Sequence, residues 1–111
     1  MISNIKDLEK REVIQLLDEA KVPIDWLGYK CIVTAIPIVI DAIYCNQKIT
    51  LNEIFSEVAK KHRTTARKVE CALRYVHENT RIKKVLNEEK LTTKSMLFLI
   101  AKLIMKKLHI E

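Results

Sequence analysis

Apolar residues near the N-terminus recur mostly at intervals of three and four: Ile5, Leu8, Val13, Ile14, Leu16, Leu17 and Ala20. That period predicts an amphipathic helix over 5–20, with Ser3 or Asn4 as its N-cap. Val22-Pro23 ends it, because the residue before a proline is pushed out of the helical region and the ring removes a donor. Residues 25–44 predict a second helix, capped by Asp25. Its apolar residues Trp26, Leu27, Cys31, Ile32, Ala35, Ile36, Val39, Ile40 and Ile43 cover most of the circumference, so neighbours must surround it. It is predicted to be the central helix. Pro37 in its interior predicts a kink near 33–37 or, failing that, a break.

After a loop at 46–48, Thr50-Leu51-Asn52-Glu53 has the form of a capping box. The helix it opens runs to about residue 61, with Ile54, Phe55, Val58 and Ala59 facing inward. Thr64 or Thr65 caps a fourth helix over 65–79. Val69, Ala72, Leu73 and Val76 form its buried stripe, and Arg67, Lys68, Glu70, Cys71, Arg74 and Tyr75 lie on its other faces. A short helix at 82–87 and a last one at 93–109 make six. One Gly, two Pro and few aromatics favour helices joined by short loops over sheets. The fold class is therefore all-α. With 49% hydrophobic residues, 111 residues suffice for one compact domain.

The three cysteines Cys31, Cys45 and Cys71 show no C-x-x-C spacing and follow no signal segment, which reads as reduced thiols in a cytoplasmic protein. His62, His77 and His109 do not fall at zinc-ligand spacing from them, so neither metal nor other cofactor is expected. The apolar run Met96 to Ala101, resumed at Leu103, is shorter than the ~20 residues of a membrane span. No membrane partner is expected. No Ser-His-Asp, Cys-His or paired-carboxylate arrangement stands out, and a single glycine leaves no Gly-rich phosphate loop. The chain does not read as an enzyme.

Charge changes the picture more. The net charge is +6, yet residues 60–84 alone sum to +7 through Lys60, Lys61, Arg63, Arg67, Lys68, Arg74, Arg81, Lys83 and Lys84 against Glu70 and Glu78. The remainder is therefore slightly acidic. Such a local excess suits a polyanion, since each neutralised phosphate releases counterions.

The same region fits a helix-turn-helix at 51–79, which needs a small residue where its helices touch, a tight turn and branched residues locking the second helix. Counting from Ala59, the turn falls four residues on at Arg63, Val69 ten on and Ala72 thirteen on. Arg63 is the misfit, because the turn position favours a left-handed backbone that suits Gly or Asn. A basic residue there offsets part of that cost by meeting a phosphate. Lys60, Lys61, Arg63, Arg81 and Lys84, together with Thr64 and Thr65 at the N-terminus of the fourth helix, are the candidate phosphate contacts. Solvated lysines and ordinary caps give the same pattern.

Val22-Pro23 with Gly28-Tyr29, Ala35-Ile36, Lys48-Ile49-Thr50 and above all Ala59-Lys60-Lys61-x-x-Thr64-Thr65-Ala66-x-x-Val69-Glu70-x-Ala72-x-Arg74 resemble the C-terminal DNA-binding effector domain of the sporulation initiation response regulator family. The resemblance runs from about Leu17 to Asn79 and more weakly to the end. It implies a six-helix domain that binds double-stranded promoter DNA as tandem copies on a repeated box, with base-reading positions at Arg67, Lys68, Glu70, Cys71, Arg74 and Tyr75. Two of these depart from the family, which has Arg at the positions of Lys68 and Cys71. Arg reads guanine bidentately and Cys does not, so the target box is expected to differ. Glu70 suits a hydrogen bond from cytosine N4, or an ion pair with Arg67 or Arg74 at helical spacing. Family members carry a phospho-receiver domain, for which 111 residues leave no room. The competing reading is a receiverless interaction module that binds RNA polymerase, a sigma factor or a full-length relative through its apolar last helix.

Overall fold

The computed structural model describes residues 5–110 and contains six helices: α1 (Ile5–Glu19), α2 (Leu27–Tyr44), α3 (Leu51–Lys61), α4 (Ala66–Asn79), α5 (Ile82–Val85) and α6 (Thr93–Lys107). Among the described residues there is no strand. The proposed caps Ser3 and Asn4 lie outside that range.

α2 is the axis of the fold, packed against α1, α3, α4 and α6. Cys31, Ile32, Ala35, Ile36, Val39 and Ile40 are all buried, which is the physical content of its broad apolar face. By length and composition it is also an 18-residue helix apolar enough to cross a bilayer, so the run at 96–105 is not the chain's strongest apolar segment. Here its apolar surface meets four other helices instead.

One detail of α2 departs from the sequence reading. The helix begins at Leu27 with Trp26 as N-cap and no side-chain cap, so Asp25 does not cap it. The Trp26 amide donates to the Pro23 carbonyl at 3.2 Å, closing a turn that carries the exposed Asp25 past the helix start. Pro37 lies inside an unbroken helix, so no break occurs. A helix walled in by its neighbours tolerates the missing donor because packing supplies most of its stability.

α6 buries Met96, Leu97, Ile100, Ala101, Ile104 and Met105. Its apolar face is therefore part of the core, and Lys94, Lys102, Leu103, Lys106 and Lys107 face outward. Thr92 and Ser95 close a capping box at its start, the Ser95 amide donating to the Thr92 hydroxyl at 3.1 Å. The helix stops at Lys107 and α5 at Val85, each two residues short of the predicted end.

The chain ends helices without glycine. Lys21, Asn46, Arg63, Asn87 and His109 all have positive φ, between 53° and 61°. Each follows a helix whose last turn closes by paired bonds of the Schellman type, as where Thr64 N–H donates to the Ala59 carbonyl at 3.0 Å and Arg63 N–H to that of Lys60 at 3.4 Å. Gly28 does something else. A Cβ built there would meet the Ala72 carbonyl oxygen at 2.7 Å and clash with the Val76 side chain, so the glycine lets the first turn of α2 touch the backbone of α4.

Candidate nucleic-acid interface

α3, the turn after it and α4 form where the spacing predicts them. Thr50 opens α3 with both capping-box bonds, Thr50 N–H to Glu53 Oε1 at 2.9 Å and Glu53 N–H to Thr50 Oγ1 at 3.2 Å. Ile54, Phe55, Val58 and Ala59 are buried. The turn places Arg63 at φ 53°, the left-handed geometry expected of that position. His62 caps α3 and its Nε2 lies 2.6 Å from the Thr34 hydroxyl, which ties the turn to the central helix.

α4 is held down by Val69, Leu73 and Val76, each fully buried. Ala72, expected in this stripe, is only half-buried; its carbonyl lies against Gly28 of α2 and it lines an open hollow beside that crossing. The stripe also takes in His77, which stands one turn after Leu73 on the same face and was hidden by its polarity rather than its position. It is 8% exposed, its Nε2 is 3.3 Å from the Thr93 hydroxyl, and its buried Nδ1 has no hydrogen-bond partner among the described residues. Burial lowers its pKa, with Lys83 and Arg74 pushing the same way and Glu78 opposing.

Thr65 rather than Thr64 is the N-cap of α4, its hydroxyl accepting from the Lys68 amide at 3.2 Å. The Thr64 amide is already committed to the Ala59 carbonyl. Of the N-terminal candidates, Lys60, Lys61, Arg63 and Thr65 are exposed and Thr64 is half-buried. Lys60 also approaches Glu57 at 3.6 Å, but this exposed pair is too weak to hold the ammonium away from another anion. Arg81 and Lys84 are exposed beyond the opposite end of α4, where they line a shallow hollow of about 390 Å³ with Glu88 and Glu89. The 14 residues of α4 separate the two basic groups by roughly 20 Å along its axis.

Between those groups Arg67, Lys68, Glu70, Cys71, Arg74 and Tyr75 are all exposed on the one helix. Arg67, Glu70, Cys71 and Arg74 stand at i, i+3, i+4 and i+7 and so share a face. Arg74 donates a weak hydrogen bond to the Cys71 sulfur at 3.7 Å. Glu70 forms no ion pair among the described residues, so the intrahelical pair with Arg67 or Arg74 that its spacing allowed is not made. Of the other thiols, Cys45 is exposed like Cys71, while burial pushes the Cys31 thiol up to about 11, which leaves it an inert core residue.

One contributor was missed. Trp26 packs on Tyr75 with ring centroids 5.0 Å apart and planes tilted by 57°. Pro23 signalled a turn before α2, but nothing in the pattern told that this turn lies beside the outer face of α4. The sequence matches the family model described as sporulation initiation factor Spo0A C terminal over residues 13–104, from within α1 to within α6. No curated protein and no solved structure matches the chain.

Proposed function

The chain belongs to the family of the sporulation initiation factor Spo0A C-terminal domain, a DNA-binding effector domain of sporulation regulators, and on that premise we propose that it binds promoter DNA sequence-specifically with α4 in the major groove. The observation that carries this reading is the outer face of α4, where six side chains able to meet base edges stand exposed between two groups of basic residues. In the bound state Arg67, Lys68, Glu70, Cys71, Arg74 and Tyr75 face the bases. Lys60, Lys61, Arg63, Thr64, Thr65, Arg81 and Lys84 meet the flanking phosphates, which set register without reading sequence. Glu70, free of an intrahelical partner, accepts from cytosine N4. Tandem binding on repeated boxes follows the family.

Selection of bound duplexes from a random pool tests the reading, with single-base variants of the enriched site then measured against substituted proteins. Arg74→Ala relaxes preference at one base pair, and Cys71→Arg adds a guanine preference of about 1–3 kcal/mol at another. A uniform change across all variants reduces these residues to electrostatic contacts. No enrichment at all favours the interaction module that binds polymerase, a sigma factor or a full-length relative. On α6 the core-facing residues are buried, and Leu103 is the large apolar residue left exposed.

A further inference from the structure

The outer face of α4 is not chemically uniform. Arg67, Lys68, Glu70 and Arg74 are charged, whereas Cys71 and Tyr75 are not. These two line a notch of about 360 Å³ with Ala72 of α4 and with Trp26, Leu27 and Gly28 from the start of α2. Only because Gly28 lacks a side chain does α2 come close enough to form the second wall. Tyr75 is 54% exposed, a large ring left in water on a helix whose other large apolar residues are buried, and Trp26 braces one side of it. Cys71 stands one turn before Tyr75.

We infer that this notch reads the C5-methyl group of thymine, with Cys71 and Tyr75 as the contacting residues and Trp26 as the residue that positions Tyr75. The inference rests on the DNA reading above and adds a base chemistry to it. In the major groove the thymine methyl is the apolar feature of a base pair, and apolar side chains recognise it by contact alone. A thiol beside an aromatic ring supplies such a surface and lacks the paired donors that guanine demands. The notch is continuous with the charged face, so a recognition helix seated on phosphates at its N-terminal end brings the notch to a neighbouring base pair. Bracing by Trp26 fixes the ring before binding, so contact with the methyl orders nothing further.

Single replacement of each thymine in the enriched site by deoxyuridine tests this, because it deletes the methyl and leaves the hydrogen-bonding edge unchanged. With the unmodified chain, one or two adjacent replacements weaken binding about fourfold each, the worth of one buried methyl. With Tyr75→Ala or Cys71→Ser, both at exposed positions, the same replacements cost little or nothing. Trp26→Phe keeps the discrimination and Trp26→Leu loses part of it. Trp26 is the sole tryptophan, so its emission also changes more on binding the thymine site than the uracil site. Indifference to uracil at every position overturns the inference, as does an unaltered penalty in the Tyr75→Ala and Cys71→Ser proteins or an enriched site without thymine. Failure of the pool to enrich any site overturns the DNA reading itself, and the methyl contact falls with it.

Discussion

α2 and α4 touch at Gly28, and they use their residues in opposite ways. α2 is covered by four helices and keeps eight residues buried along its length. α4 buries one stripe, Val69, Leu73, Val76 and His77, and turns the rest outward. A helix covered by neighbours along most of its length contributes mainly stability, its first turn beside the notch apart. A helix held by one stripe can contribute its other faces to a partner, provided that the stripe alone fixes its position. The two helices should therefore respond differently to substitution: changes where they cross act on folding, and changes on the outer face of α4 act on binding.

The sharpest way to break that division is to attack the stripe. Val69→Asp buries a charge with no partner in a position that is 0% exposed, and it should destabilise by more than about 4 kcal/mol or abolish folding. Urea unfolding followed by circular dichroism reads the loss. A variant melting within about 1 kcal/mol of the parent would mean that α4 is not anchored by this face. Gly28→Ala comes next. The added methyl has to displace a backbone oxygen at 2.7 Å and cannot rotate away from it, so α2 and α4 must separate, at a cost of about 1–3 kcal/mol. The gain in helix propensity from Gly to Ala, about 1 kcal/mol, works against this loss. A variant more stable than the parent would show that the crossing has slack.

These two residues also mark what the sequence makes legible. Six helices, the capping box at Thr50 and the stripe at Val69, Leu73 and Val76 follow from period and cap chemistry, which are local. The left-handed turn at Arg63 was legible because helix-turn-helix spacing demands it there whatever the residue. Lys21, Asn87 and His109 take the same conformation with no such spacing to announce them. Glu9 was hidden for a related reason. It is 2% exposed and paired with Lys6 at 3.2 Å, while Lys6 also bonds Asp41 of α2. The bond from Lys6 to Asp41, across 35 residues of chain, has no local signature. The Trp26–Tyr75 contact depends likewise on where the start of α2 meets α4. The charged part of the candidate interface was visible in the sequence, and its aromatic wall was not.

On the binding side, the double variant Lys60→Ala, Lys61→Ala should leave folding nearly unchanged, since both side chains are exposed and Lys60 has only a solvated pair with Glu57. Binding should weaken for all sequences alike. The slope of log affinity against log salt should flatten by about 0.9 for each phosphate no longer neutralised. An unchanged slope would remove these lysines from the interface.

The smallest effect separates folding from binding within one residue. Arg63 sits at φ 53°, where a side chain is strained relative to glycine by on the order of 1 kcal/mol. Its backbone is already satisfied by the bond from its own amide to the Lys60 carbonyl, and its side chain is exposed, so the arginine gives the fold little in return. Arg63→Gly should therefore raise stability by up to about 1 kcal/mol, less whatever the added freedom of glycine gives the unfolded chain. If the guanidinium meets a phosphate, the same substitution weakens DNA binding and flattens the salt slope by about 0.9. Stability and affinity then move in opposite directions. Arg63→Lys distinguishes the causes, because it retains both the charge and the strain: affinity should largely return while stability stays at the parent value. A glycine variant that gains stability and loses no affinity would reduce Arg63 to a strained helix end with no part in binding.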